Sequence, residues 1–209
     1  DKILPMSDVE RTILGEIGAT VEQYDAIRPE QIFKVAADAD AVITIGADLN
    51  RKAIEGLKKL KVIGRAGVGV NNVDLQAATD NNIVVTYTPI YCQQEVATLV
   101  IALLLACERR LIQANNVVKS GDWSRSVSTV EGARSTQGKT MGLLGFGKIA
   151  QETVSVLKAL GIRVIATDPF IDPELCEQMN VDLVSQETLL KTADYISIHI
   201  PLTKDTHHM

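Results

Sequence analysis

Four residues between positions 145 and 168 have the types and the spacing of a binding site for a dinucleotide. Gly145, Gly147 and Ala150 form the pattern G-x-G-x-x-A, and Asp168 follows about 20 residues later. A glycine turn lets a pyrophosphate approach the main chain at the start of a helix, where N–H groups and the helix dipole attract an anion. An acid at this distance accepts hydrogen bonds from ribose hydroxyls. The spacing therefore predicts dinucleotide binding, although the same glycines could form an ordinary turn of an α/β unit.

The same segment favours NAD over NADP. A carboxylate at Asp168 would repel the 2′-phosphate of NADP, and no Arg or Lys occurs between residues 167 and 173 to attract that phosphate. We therefore predict NAD as the cofactor.

Three elements must position these residues. The apolar run at 141–144 predicts a buried strand before the glycines, and apolar residues at helical spacing predict a helix that ends at Gly161. A second apolar run at 164–166 predicts the strand that leads to Asp168. Strand, turn, helix and strand in this order form the context that the glycine pattern requires.

Composition limits the classes of function. The chain has 209 residues, 46% of them hydrophobic, and a net charge of −5 without a basic block, so nucleic acid is not a predicted partner. Cys92, Cys107 and Cys176 lie far apart, which predicts thiols in a reducing compartment and no metal site. The longest apolar stretch, 96–107, is shorter than a membrane-spanning helix. We predict a cytoplasmic protein that does not bind membranes.

The fold class is predicted as α/β, with two Rossmann-like or flavodoxin-like parallel-sheet domains. Strands and helices alternate through residues 1–91, which predicts a parallel sheet covered on both faces. Residues 88–91 break the pattern and predict a hinge, so residues 1–90 form one domain and residues 91–209 the other. The apolar segment at residues 1–5 is too short and too interrupted to predict a first strand.

Four local predictions are less regular. Residues 20–24 form a weak strand, and residues 93–118 form one long helix whose apolar first half must be buried on most sides, within the fold or between subunits. The polar connection at 119–138, which contains Trp123, lacks clear structure and is suspected to be a subunit contact. Residues 195–200 form a buried strand.

A second glycine-containing loop, RAGVGV, follows the strand predicted at 61–64. Gly67 and Gly69 could present backbone N–H groups to an anion at the carboxyl edge of the sheet. Arg65 adds a fixed positive charge to this loop. The alternative is a plain turn between a strand and a helix, and we favour the anion site.

Several segments together resemble the D-isomer-specific 2-hydroxyacid dehydrogenases, which include enzymes of the phosphoglycerate dehydrogenase type. They are RAGVGVNNVDLQAAT, TPIYCQQEVATLVIALLLACERR, GLLGFGKIA, the TDP that follows it, and HIPLTKDTHHM. The resemblance covers nearly the whole chain. It implies a substrate-binding domain at 1–90, without its usual C-terminal return, and an incomplete NAD-binding Rossmann domain at 91–209.

The resemblance also implies roles for individual residues. The substrate would contact the loop of Arg65, Val68 and Gly69, and the ribose would contact Asp168. The pyrophosphate and the adenine side of the cofactor would contact Gly145, Gly147, Lys148, Ile149, His199, Ile200, Pro201 and Thr206. For His199, a strand-end histidine satisfied by the backbone remains an alternative, and His207 and His208 are expected to be exposed to solvent. A homodimer is implied as well.

The implied function is an NAD-dependent oxidoreductase that interconverts a D-2-hydroxy acid and a 2-oxo acid. Members of the family carry a catalytic Arg, His and Glu downstream of the P-L-T segment, and this sequence ends at Met209 before any of them. No catalytic residue is therefore assigned, and this chain is expected to be inactive. Ile45 and Gly46 stand where phosphoglycerate-type members often have an Arg, which argues against 3-phosphoglycerate as substrate. The alternative function is a non-catalytic, NAD-sensing protein of the corepressor type.

Overall fold

The computed structural model describes residues 7–209, and the chain divides into two compact units at the bond between Tyr91 and Cys92. The expectation for residues 1–5 lies outside the described residues. No helix within residues 7–209 is both long enough and apolar enough to cross a membrane.

The described part of the first unit, residues 7–91, contains three parallel strands and four helices. The strands are β1 (Ala41–Thr44), β2 (Val62–Arg65) and β3 (Val84–Tyr87), and they pair in the order β1-β2-β3. The helices are α1 (Asp8–Glu16), α2 (Pro29–Ala36), α3 (Arg51–Gly56) and α4 (Leu75–Asp80). The side chains of Asn50 and Asp74 accept hydrogen bonds from the first turns of α3 and α4, and these caps fix where the two helices begin.

The core of this unit lies on one face of its sheet. Ile63 is fully buried with Ile54 and Leu57 of the neighbouring helical segment, whereas Ile43 and Val84 on the opposite face are exposed. The prediction that helices cover both faces is therefore wrong for the described part of this sheet. The cause is that apolar residues occur on both faces of its strands, so the sequence did not show which face is packed. The predicted strand at 20–24 is also wrong among the described residues, because residues 20–24 form no ladder with any strand of residues 7–209.

The second unit holds a four-stranded parallel sheet. Its strands are β4 (Thr140–Leu144), β5 (Arg163–Thr167), β6 (Asp182–Leu183) and β7 (Tyr195–Ile198), in the order β6-β5-β4-β7. Its helices are α5 (Gln93–Glu108), α6 (Leu111–Ser120), α7 (Ser126–Val130), α8 (Lys148–Ala159), α9 (Pro173–Gln178) and α10 (Gln186–Thr192), with a short 3₁₀ turn at Trp123–Arg125. Because β4 is central, the glycines that follow it are flanked by the ends of β5 and β7.

The long helix predicted at 93–118 is two helices, because Arg110 adopts a left-handed conformation with φ of 52°. The Arg110 Nη1 atom donates a hydrogen bond to the Glu131 carbonyl at 2.6 Å, and the Arg134 N–H donates to the Glu108 carbonyl at 3.0 Å. Residues 109–133 therefore leave the end of α5 and return to the same end, and we call them the arm. The arm contains α6, the 3₁₀ turn and α7, so the prediction that 119–138 lacks structure is wrong.

Two apolar elements of this unit are buried on one face only within this chain. Helix α5 buries Ala97, Ile101 and Leu104, but Leu99 and Leu103 on its other side are exposed. Strand β7 is an edge strand whose burial alternates, and its isoleucines are exposed. The prediction of a buried strand at 195–200 is therefore wrong for this chain, whereas burial of the open side of α5 between subunits stays a prediction.

Candidate functional site

The turn after β4 has a conformation that favours glycine. Gly145 has φ of 87°, and its N–H donates to the Thr167 carbonyl at the end of β5 at 2.9 Å. A Cβ atom at this position would lie 2.8 Å from Ile200 Cγ2 and 3.0 Å from the carbonyl group of His199. Both the backbone conformation and the close approach of the two residues that follow β7 thus exclude a side chain at Gly145.

The next residue, Phe146, is fixed on three sides. Its ring is completely buried in the core of the unit. Its N–H donates to Asp168 Oδ2 at 2.8 Å, and its carbonyl accepts a hydrogen bond from Gln151 Nε2 at 2.8 Å. The turn therefore has a defined shape that depends on two polar side chains from separate elements.

Helix α8 begins at Gly147 without a side-chain cap, whereas α3, α4, α9 and α10 each begin with a side chain that accepts a backbone N–H. The N–H groups of Lys148, Ile149 and Ala150 have no acceptor within an α-helix. A Cβ atom built on Gly147 meets no protein atom within 4 Å, so the space above this helix start is open. An uncapped helix start beside open space fits the pyrophosphate of a dinucleotide.

Asp168 lies directly beside this turn. One carboxylate oxygen accepts the Phe146 N–H, and the other accepts the N–H of Phe170 at 2.9 Å. A carboxylate has about four acceptor positions, so both oxygens keep lone pairs for two ribose hydroxyls. The side chain of Phe170, which sequence reasoning did not single out, is 95% exposed at the same edge of the sheet.

The segment from His199 to Thr206 divides into two parts. The His199 N–H donates to the Leu144 carbonyl at 2.7 Å, and its Nε2 atom lies 2.9 Å from Ser197 Oγ. Burial lowers the pKa of His199 below its usual value, which favours the neutral ring. The Thr206 hydroxyl instead donates to the Pro201 carbonyl at 2.7 Å and closes a turn. His199 and Ile200 thus flank the glycine turn, and the contacts of Thr206 are with its own turn.

The RAGVGV loop of the first unit begins where β2 ends. The Gly67 N–H donates to the Arg65 carbonyl at 2.9 Å, and a Cβ atom on Gly67 would lie 1.5 Å from Arg65 Nη1. Gly67 therefore makes room for the guanidinium group. Neither glycine of the loop is among the positive-φ residues of the described chain, so the loop is not a nest of alternating left- and right-handed residues. Val68 and Gly69 are exposed and remain candidate donors to a substrate anion.

Arg65 has an unusual environment. Its Nε atom is buried, and among the described residues no hydrogen-bond acceptor pairs with it. A buried N–H without an acceptor is costly, so this atom is suited to an anion that enters the loop.

No group of three or more His, Cys, Asp or Glu side chains could hold a metal ion in the part of the chain that the structure describes. His207 and His208 are exposed, as predicted, and their rings lie edge to face with centroids 4.0 Å apart.

Sequence reasoning missed the two contacts of Phe146. Its own side chain is apolar and gave no functional signal, because both contacts are made by its main chain. Gln151 offered one signal: it lies four residues after Gly147, in the first turn of the helix, where a side chain can reach back to the turn.

Comparison with known proteins identifies the family. A family model described as D-isomer specific 2-hydroxyacid dehydrogenase, NAD binding domain, matches residues 101–209. The chain is 40% identical over 207 residues to a D-3-phosphoglycerate dehydrogenase of Methanocaldococcus jannaschii, covering 98% of this chain and 39% of that protein. It is 38% identical over 177 residues to a glyoxylate reductase of Thermococcus litoralis, covering 82% of this chain and 54% of that protein.

A solved structure resembles the chain over nearly its whole length. The structure of D-lactate dehydrogenase from Aquifex aeolicus, complexed with NAD and lactic acid, matches with a TM-score of 0.84 and 25% identity. This match covers 98% of the present chain and 61% of that enzyme. The chain thus spans between two fifths and two thirds of the length of these proteins. It belongs to the D-isomer-specific 2-hydroxyacid dehydrogenases, and residues 101–209 match the domain with which that family binds NAD.

Proposed function

We propose that the protein is an NAD-dependent oxidoreductase that interconverts a D-2-hydroxy acid and a 2-oxo acid. The observation that carries this proposal is the uncapped start of α8 at Gly147, with the Asp168 carboxylate hydrogen-bonded across the turn to Phe146. These groups fit the anionic and the sugar parts of NAD, respectively. When bound, NAD supplies the nicotinamide ring that accepts or donates the hydride.

The residues of the second unit bind and orient the cofactor in this proposal. The N–H groups at the start of α8, with Lys148 and Ile149, hold the pyrophosphate. Asp168 accepts hydrogen bonds from the ribose diol. The segment of His199, Ile200, Pro201 and Thr206 lines the adenine and ribose side, and the neutral ring of His199 adds no charge there.

The residues of the first unit bind the substrate in this proposal. The N–H groups of Val68 and Gly69 donate to the substrate carboxylate, and the Arg65 guanidinium adds positive charge at the base of the loop. The unpaired Nε atom of Arg65 supports an anionic ligand. We propose a small 2-oxo acid, because Ile45 and Gly46 offer no cation for a phosphate group. Glyoxylate and 3-phosphohydroxypyruvate, compared as ligands, would separate the two substrate classes.

We expect the 209-residue chain to bind NADH and to prefer it to NADPH by at least about tenfold. Asp168 would lie close to the 2′-phosphate of NADPH, and two negative charges about 4 Å apart repel each other by several kcal/mol at partly buried sites, so a tenfold effect is conservative. Titration of the protein with each nucleotide, followed by nicotinamide fluorescence, measures both affinities. Addition of glyoxylate to the NADH complex should cause no loss of absorbance at the nicotinamide band, since the catalytic Arg, His and Glu are not assigned to this chain.

Three outcomes would change the proposal. A folded sample without any NADH response would contradict the cofactor site, and equal affinity for NADPH would contradict the role of Asp168. Turnover of NADH by this chain would show that its 209 residues already include the catalytic groups. A complete relative that binds NADH and never turns over a 2-oxo acid would favour the NAD-sensing alternative.

We also propose that the protein forms a homodimer through α5 and the arm. Trp123 is 73% exposed and Val127 is 78% exposed, and both lie on the arm. Leu99 and Leu103 add further exposed apolar surface on α5. Large apolar side chains left exposed on a folded unit are typical of a surface that binds another protein, and a second copy of the chain is the occupant that we propose.

Val127→Asp should weaken self-association by at least about thirtyfold, because it would bury an unpaired charge at a cost of roughly 2 kcal/mol or more. Sedimentation velocity over a range of concentrations measures the effect. Ser155→Asp is the control, since it adds the same charge at an exposed position of α8, outside the arm. A wild-type chain that stays monomeric at high concentration would contradict the proposed dimer.

A further inference from the structure

We propose that Asp168 and Gln151 act together as positioning residues, which hold the main chain of Phe146 from both sides and shape the glycine turn before the cofactor binds. We call these two side chains and Phe146 the Phe146 clamp. The inference rests on the proposed use of this turn for NAD. It adds a second role for Asp168 and the first role for Gln151.

The contacts of the clamp are made entirely by residues of this chain. Asp168 Oδ2 accepts the Phe146 N–H at 2.8 Å, and Gln151 Nε2 donates to the Phe146 carbonyl at 2.8 Å. A carbonyl oxygen can only accept, so the amide nitrogen of Gln151 must face it. The two polar side chains come from the end of β5 and the first turn of α8, and they meet at a residue whose ring is fully buried.

The clamp determines which backbone groups face the cofactor. The Phe146 N–H is directed at the Asp168 carboxylate, and it is therefore not available to a pyrophosphate. The anion is left with the N–H groups at the start of α8, which Gly147 leaves accessible. If the Asp168 carboxylate could move toward the pyrophosphate, the two negative charges would repel each other. Its two backbone hydrogen bonds hold the carboxylate in place.

The clamp also reduces the cost of binding. A turn that contains two glycines has many conformations in a flexible chain, and ordering it would oppose binding. Fixing the central residue on both sides removes most of that cost before the ligand arrives. Gln151 is half-buried and reaches the turn through its side chain, so its contribution is expected in the shape of the turn and not in contact with the ligand.

The test uses Gln151→Met and Gln151→Glu, which keep the length of the side chain and remove the N–H donor. Both variants should weaken NADH binding by roughly three- to tenfold, the effect of one lost hydrogen bond. Gln151→Glu should be the weaker binder, because its carboxylate faces a carbonyl oxygen. Gln178→Met, the same substitution at an exposed position of α9, is the matched control and should leave binding unchanged.

A second readout does not depend on the cofactor. Hydrogen exchange of the Phe146 amide, measured on the protein without nucleotide, should become at least about fivefold faster in Gln151→Met and in Asp168→Asn, because each change loosens the same turn. In the double variant with Gln151→Met and Asp168→Asn, the exchange rate of the Phe146 amide should rise by less than the product of the two single effects, since both side chains act on one residue.

The outcomes separate this inference from the proposed function. Suppose that the wild-type chain binds NADH, and that the Gln151 variants have the same NADH affinity and the same exchange rate of the Phe146 amide. This result would overturn the clamp and leave the cofactor site intact. Failure of the wild-type chain to bind NADH would contradict the cofactor site, and the exchange measurement would still decide whether the clamp exists. A loss of NADH affinity with unchanged exchange would indicate direct contact with the ligand and would also overturn the clamp.

Discussion

Gly147→Ala should weaken NADH binding by a factor of roughly 30 to 1,000 and leave the fold stable. The added methyl group would point into open space that we assign to the pyrophosphate, since no protein atom lies within 4 Å of it. Moving the anion away would weaken one or two hydrogen bonds to a charged group, each worth roughly 1.5–3 kcal/mol. Fluorescence titration with NADH measures this loss.

The stability of Gly147→Ala is the internal control for this prediction. Gly147 has φ of −70° and ψ of −177°, which alanine adopts without strain. Alanine is a poorer residue than glycine at the start of a helix, but it also reduces the entropy of the unfolded chain, so the net change in unfolding free energy should stay within about 1 kcal/mol. Full NADH affinity in this variant would show that the pyrophosphate does not approach Gly147.

Gly145→Ala should have the opposite profile, with a large loss of stability. The φ of 87° costs a residue with a Cβ atom roughly 1–2 kcal/mol. The close approach to Ile200 and to the His199 carbonyl adds the cost of overpacking, typically about 1–3 kcal/mol. Together these effects should lower the free energy of unfolding by about 3 kcal/mol. Chemical denaturation of the purified variant measures the change.

A second glycine separates the two causes. Gly121 has φ of 71°, but a Cβ atom there meets nothing within 4 Å. Gly121→Ala should therefore show only the conformational part, about 1–2 kcal/mol. Equal losses of unfolding free energy in Gly121→Ala and Gly145→Ala would mean that residues 199–200 do not pack against the turn as closely as the structure shows.

The site in the second unit could be predicted from the sequence because its determinants are local. The strand, the turn, the helix and the acid follow one another within thirty residues, and each has its own pattern, so the structure confirms β4, α8 and β5 around the predicted positions. The contacts of Phe146 could not be predicted, because they depend on where two backbone groups point. No side-chain pattern reports that direction.

The errors also have physical causes. The sequence contains no glycine or proline near Arg110, so nothing marked the break between α5 and α6. The left-handed conformation of Arg110 accompanies a tertiary contact, the hydrogen bond from its side chain to the Glu131 carbonyl. The exposed face of β7 was misjudged because its isoleucines were interpreted as evidence of burial. Hydrophobicity alone does not distinguish a face that packs within the chain from one that is left for a partner.

The arm has a consequence for how the protein can diverge. Its two ends are joined by hydrogen bonds from Arg134 to Glu108 and from Arg110 to Glu131, so the path of the chain between them does not set the spacing of α5 and β4. Doubling the length of such an excursion raises the entropy cost of closing it by only about 0.6 kcal/mol. Insertions or deletions there would alter the surface that we propose for the dimer without disturbing nucleotide affinity, and these two properties can evolve separately.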